Sequence, residues 1–219
     1  MKKGFLAAIA LFSFGIAQSQ EIKFGVKGGL NLSTLTGDAV SDDISMKAGF
    51  HAGGLVEIKF TDKLSLQPEL LYSLQGAKTE DSEVIAGTTY RDESKLNLSY
   101  INVPVMLKFY PVKGFFLEGG PQVGFLVSAK SKNESTETDP GNTITLTSTE
   151  TDIKDQLKGV DVAFNFGLGY DFTDNLFANA RYSLGLTNIY DVPAFLGGFG
   201  ITELDAKNSN ISVSLGYKF

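Results

Sequence analysis

Val160 to Phe172 reads VDVAFNFGLGYDF. Its even positions are Val160, Val162, Phe164, Phe166, Leu168, Tyr170 and Phe172. Its odd positions are Asp161, Ala163, Asn165, Gly167, Gly169 and Asp171. Successive side chains of a β-strand point to opposite faces, so this is a strand with one face wholly apolar and the other small or polar. It is longer than the usual globular strand of about 5–6 residues and suits the roughly 9–11 residues that cross an outer membrane at a tilt.

The same period-two pattern recurs at about Lys23–Leu32, Ala48–Phe60, Leu64–Leu74, Ser99–Tyr110, Phe115–Val127, Leu176–Leu186 and Ser209–Phe219. Between these segments, short and long connections alternate. Thr61–Lys63, Pro111–Gly114 and Thr173–Asn175 are tight turns, whereas Ser33–Lys47, Gln75–Leu98, Ala129–Gly159 and Thr187–Asn208 are long and polar. The expected fold is all-β: a closed, eight-stranded, antiparallel, up-and-down transmembrane barrel over residues 20–219. The short turns are expected at the periplasmic end and four acidic loops at the extracellular end. TITLTST (Thr143–Thr149) also alternates and is expected to extend as a hairpin above the membrane.

Alternation alone does not say which face is outside, because a soluble barrel alternates with its apolar face inward. Three features place the apolar face outward. The non-apolar face of 160–172 is mostly Gly, Ala and Asn, far from the roughly 25–35% charged exterior of a soluble protein. Eight strands enclose room for packed side chains or one small ligand, which rings at so many positions would overfill. Aromatic residues also gather near the trimmed end: Phe60, Phe109, Tyr110, Phe115, Phe172, Tyr217 and Phe219. Such a girdle sits at headgroup level in membrane barrels.

The chain starts MKKGFLAAIALFSFGIAQSQ. Lys2 and Lys3 form a positive leader, Phe5–Ile16 an apolar core, and Ala17 and Ser19 a small-residue cleavage site. Residues 1–19 are therefore expected to be a signal peptide. Its removal takes away two lysines and no acid, which moves the net charge from −6 to −8. An acidic chain is no partner for nucleic acid. With no cysteine and one histidine, disulfides, thiolate metal sites and two-histidine metal sites are excluded. No cofactor or metal is indicated.

The last strand, NISVSLGYKF, ends on Tyr217 and Phe219 and resembles the terminal signal by which bacterial outer-membrane barrels are recognised for assembly. SLQPELLYS (Ser65–Ser73), INVPVMLKFY (Ile101–Tyr110), FLEGGPQVGFL (Phe116–Leu126) and ARYSLGLTNI (Ala180–Ile189) resemble the recurring strands of the PorT-like "porin family" outer-membrane barrels of Bacteroidetes. The resemblance implies the outer membrane of a Gram-negative bacterium, with lipid and the barrel assembly machinery as partners. It leaves any further surface or periplasmic partner unidentified.

Six charges are expected on the inward face: Lys27, Glu57, Glu69, Lys108, Glu118 and Arg181. Three acids against three bases suit a structural network that plugs the lumen, each charge paired because lone burial is costly. Arg181 is expected among Glu57, Glu69 and Glu118. His51 also faces inward. A lipase-like site would need Ser and an acid converging on it, and no GxSxG elbow is present, so no catalytic residue is assigned. Pro68, Pro104 and Pro121 lack the ladder donor and are expected at bulges that shift the strand phase. The leading functional expectation is a structural or surface-interaction protein. The alternatives are a narrow transport or ligand-binding barrel and, less favoured, a lipid-modifying enzyme.

Overall fold

The computed structural model describes residues 21–37, 44–85, 87–139, 142–191 and 205–219. The expected signal peptide lies outside them, as do parts of the segments expected as loops at 33–47 and 187–208.

Nine strands form: β1 (Glu21–Thr36), β2 (Ile44–Thr61), β3 (Leu64–Ile85), β4 (Thr88–Phe109), β5 (Phe115–Asp139), β6 (Asn142–Asp152), β7 (Val160–Asp171), β8 (Leu176–Gly185) and β9 (Lys207–Lys218). The expected closed barrel of eight strands is thereby corrected. The strands belong to one nine-stranded sheet in the order β4, β3, β2, β1, β9, β8, β7, β5, β6, and β4 pairs additionally with β5. β6 contains the alternating Thr143–Thr149 stretch expected as a hairpin. It pairs with the upper half of β5, while the lower half of β5 pairs with β7. The supposed loop Gln75–Leu98 is likewise mostly ladder, since β3 and β4 pair from Leu64↔Phe109 up to Ile85↔Thr88.

The β4–β5 pairing makes the sheet curl round an interior. On β7, Val160, Phe164, Phe166, Leu168 and Tyr170 are exposed, whereas Asp161, Ala163, Asn165 and Gly169 are buried. The same inversion holds around the sheet. Phe24, Leu30, Phe125, Val213 and Leu215 are outside, and Lys27, Glu57, Asn102, Asn165 and Ser214 are inside. Apolar residues outside and polar residues inside is the pattern of strands solvated by lipid. Tyr110 is corrected from the expected girdle: it is buried, because it alternates with the outward Phe109.

The prolines do not shift the phase. Pro68 pairs with Val105 and Leu71 with Asn102 in one register, as do Pro104 with Gln122 and Leu107 with Gly119. Pro121 sits opposite Phe164 between regular neighbours. A missing N–H removes one rung but inserts no residue, so the alternation continues. The shifts fall instead between Met46 and His51, Lys59 and Thr61, Ser99 and Tyr100, and Ser135 and Thr136. At the Ser99/Tyr100 shift, Tyr100 pairs with Leu126 and Ser99 with Ser128, so Val127 is the extra residue. The inward face of β5 passes from Leu126 to Ala129.

The interior is layered. At the short-turn end Leu55, Tyr110, Phe116 and Phe177 cluster. The middle is polar. Towards the long hairpins Leu35, Ala77, Leu98, Tyr100, Leu126, Ala129, Leu157, Ile189 and Ala206 form an apolar layer. Leu157 follows the 3₁₀ turn Lys154–Gln156 and bridges to Tyr190. That return of the chain after β6 closes over the interior. The ends of β1 and β9 lie together at the short-turn end, where Phe219 N–H donates to Phe24 O at 2.7 Å and Lys218 N–H to Asn175 O at 2.7 Å.

Candidate functional site

The six charges expected inside are all buried, and the structure sorts them into two groups. The central group joins β1, β3, β5 and β8. Arg181 on β8 lies between two carboxylates. Its Nη1 and Nη2 donate to Glu69 Oε2 and Oε1 at 3.1 and 2.9 Å, and its Nε and Nη2 donate to Glu118 Oε1 and Oε2 at 3.0 and 3.1 Å. The planar guanidinium fork offers two donors to each of two carboxylates at once. Lys27 Nζ is 3.1 Å from Glu69 Oε2. Gln67 Nε2 donates to Glu69 and Asn179 Nδ2 to Glu118, both at 2.7 Å. Two acids and two bases thus sit in one neutral, hydrogen-bonded unit.

Glu57 is not part of it, which corrects the expectation that it flanks Arg181. It belongs to a second group at the short-turn end. Its Oε2 accepts from Lys218 Nζ at 2.8 Å, and its Oε1 accepts from Tyr110 at 2.7 Å and Ser65 at 2.9 Å. Lys218 also donates to Asp171 at 3.0 Å. Lys108 Nζ stands 3.9 Å from Glu57 and 4.1 Å and 4.8 Å from the ring centroids of Phe116 and Phe177. The ring faces supply the negative potential that a hydrogen bond would otherwise give. Lys218 is the residue the sequence reading missed. It alternates with the outward Tyr217 and Phe219, so its inward place was readable. Gly216 makes room for this group, since a Cβ there would lie 2.2 Å from Phe177 Cζ.

His51 gathers partners that no local motif announces. Asn31 Nδ2 donates to Ser73 Oγ and to Leu74 O at 2.9 and 3.0 Å, which turns Asn31 Oδ1 towards the ring. His51 Nδ1 lies 2.8 Å from that oxygen and Nε2 2.8 Å from Ser214 Oγ. The ring therefore carries its proton on Nδ1, donates to Asn31 and accepts from Ser214. Gly29 permits the approach. It pairs with His51 on one side and Ser214 on the other, and a Cβ on it would lie 2.8 Å from the His51 ring and 2.7 Å from Ser214 Cα. Ser, His and Asn in a hydrogen-bonded row have the order of a nucleophile, base and orienting group. All three are buried, however, and the adjoining cavity, lined also by Lys27, Gln122 and Arg181, measures about 20 Å³. That admits a water molecule and no acyl substrate. Among the described residues no group of three or more His, Cys, Asp and Glu side chains could hold a metal ion.

Tyr217 and Phe219 are exposed on the outer face, with ring centroids 5.5 Å apart. On the hairpins beyond the interior, hydrogen bonds from Lys78 and Arg91 hold the Glu80 carboxyl below its ordinary pKa. Lys132 does the same for Glu134.

An apolar belt outside, paired charges inside and hairpins at one end define a membrane-embedded β-sheet protein rather than a soluble one. The chain belongs to the outer membrane protein beta-barrel domain family, whose sequence model matches residues 16–191. Its place is the outer membrane. A comparison with curated proteins finds no match. Among solved structures, the chain is similar to Ail, the attachment invasion locus protein of Yersinia pestis, with 15% identity and a TM-score of 0.43, covering 91% of this chain and 99% of that one. It is also similar to Neisserial surface protein A, with 12% identity and a TM-score of 0.39, covering 92% and 100%. For the outer membrane protein OprG from Pseudomonas aeruginosa the values are 15%, 0.40, 93% and 99%.

Proposed function

We propose that this outer-membrane protein has a plugged interior and serves a structural or surface-interaction role, with its long hairpins outside the cell and its short turns in the periplasm. The observation that carries this reading is the filling of the middle of the molecule. Between the central ion-pair unit and the His51 row lies a cavity of about 20 Å³, too small for a solute path. The two apolar clusters lie to either side. A protein built so rigidly inside acts through its surface. The buried Ser214–His51–Asn31 row locks β1, β2 and β9 together and has no room to act on a substrate, which argues for a role other than catalysis.

The same proposal includes kinship with the PorT-like group, cleavage after Ser19, and insertion by the barrel assembly machinery through Tyr217 and Phe219. The test is topological. A single cysteine placed at Thr147 on β6, in a chain with no cysteine of its own, is expected to react with a membrane-impermeant maleimide on intact cells. Labelling only after rupture of the outer membrane contradicts the orientation.

A further inference from the structure

Beyond the interior, β3, β4, β5 and β6 continue as a four-stranded sheet. Its register sets Lys78 opposite Lys95, Lys95 opposite Lys132 and Lys132 opposite Glu150. One rung further out stand Glu80, Glu93, Glu134 and Ser148. Residues directly opposite one another project from the same face. The neighbours say which face this is. Ala77 and Ala129 are buried and Leu96 packs against their cluster, so Lys78, Lys95 and Lys130 turn outward. Lys132 follows Lys130 by alternation. They share the face of Tyr72, Ile101 and Phe125, the paired outward rung below.

Three ammonium groups side by side on adjacent strands repel one another. Each is steadied by a glutamate of its own strand: Lys78 by Glu80 at 2.5 Å, Lys95 by Glu93 at 2.5 Å and Lys132 by Glu134 at 2.6 Å. These three glutamates lie on the far side of the lysine row from the apolar belt, whereas Glu150 stands in the row and pairs with Lys130 at 2.6 Å. Exposed pairs of this kind contribute little, and a multivalent anion arriving from the belt side can replace them. The partly exposed Leu74 and the exposed Val127 are the nearest apolar outward residues below the lysine row on β3 and β5. Lys78 stands four residues above Leu74, about 10 Å along the membrane normal for a tilted strand. Once released from its glutamate, a lysine stem can lie back along apolar surface and bring its charge lower still.

We propose that Lys78, Lys95 and Lys132, with Lys130 beneath them, form a rail that binds the phosphate groups of outer-leaflet lipid headgroups. The reading rests on the orientation proposed above. It explains why like charges are aligned on neighbouring strands and why the cationic row is nearest the membrane. Such a rail ties the hairpin sheet to the lipid surface on one flank.

The test is made on the folded full-length protein in zwitterionic detergent, by titration with fluorescent phosphatidic acid and, separately, with phosphatidylcholine of the same chains. The triple variant Lys78→Gln, Lys95→Gln, Lys132→Gln is expected to lose roughly a hundredfold in affinity for phosphatidic acid, with phosphatidylcholine binding unchanged. The triple variant Glu80→Gln, Glu93→Gln, Glu134→Gln is expected to keep or gain affinity. Heat-modifiable migration on gels establishes that both variants are folded. Equal phosphatidic acid affinity in the wild type and the lysine variant overturns the proposal. So does displacement by inorganic phosphate at concentrations comparable to the lipid, which marks a site for free anions. These outcomes are independent of the maleimide test, so failure of the rail and failure of the orientation are told apart.

Discussion

Arg181→Ala removes the centre of the interior. Arg181 donates four hydrogen bonds, two to Glu69 and two to Glu118, all between 2.9 and 3.1 Å. Without it Glu69 keeps Lys27 and Gln67, but among the described residues Glu118 keeps a hydrogen bond from Asn179 alone. Two buried carboxylates then face one ammonium. Breaking a buried pair from one side costs about 3–5 kcal/mol, because the remaining charge is desolvated without a partner. The double variant Arg181→Met with Glu118→Gln removes one charge of each sign and leaves Lys27–Glu69 intact, and replacing a buried pair by neutral groups of similar size is often tolerated. The assay is urea unfolding of protein folded in detergent, followed by tryptophan-free far-ultraviolet dichroism and heat-modifiable migration. The single variant is expected to unfold at clearly lower urea, and the double variant to recover most of the loss. An unchanged midpoint in Arg181→Ala, or a double variant as unstable as the single, refutes the paired-interior reasoning.

Three further outcomes are expected. Gly29→Val places side-chain atoms where His51 and Ser214 now meet across β1; overpacking of this kind costs about 1–3 kcal/mol, and the His51 ring resonances in NMR should shift. A stable variant with unshifted resonances contradicts the close approach. Lys218→Met strips Glu57 and Asp171 of their shared cation and is expected to lower the unfolding midpoint, whereas Lys23→Met, at a half-buried residue paired with the exposed Glu21, is not. Deletion of Phe219, exposed at the end of β9, is expected to reduce the amount inserted in the outer membrane while export continues; equal insertion argues against its part in assembly.

The alternation of 160–172 and the other lower segments was legible because each residue there faces lipid or a crowded interior, and the two faces demand different side chains. The inward placement of Lys27, Glu57, Glu69, Lys108, Glu118 and Arg181 followed from the same parity. What parity could not tell was who meets whom across the interior. Glu57 and Arg181 point inward on different levels, and only the stagger of the strands separates them. The upper halves of β3, β4 and β5 were read as loops because both of their faces meet water there. With no apolar face the period-two signal disappears, although the backbone ladder continues. β6 did show alternating Thr, but its membership of the main sheet depends on pairing with β5. The prolines misled for the opposite reason: a strong local rule about donors was extended to register, which a lost rung does not alter. The partners of His51 lie on strands far apart in sequence, and the glycine that admits them reads as any other glycine in a narrow sheet.

The central claim is that paired charges and apolar clusters fill the interior. Planar-bilayer recording on the purified wild-type protein tests it most directly. The expected current is indistinguishable from that of the protein-free bilayer, with at most small, irregular leaks in Arg181→Ala. A large, steady single-channel conductance in the wild type contradicts it and establishes a solute path through the molecule.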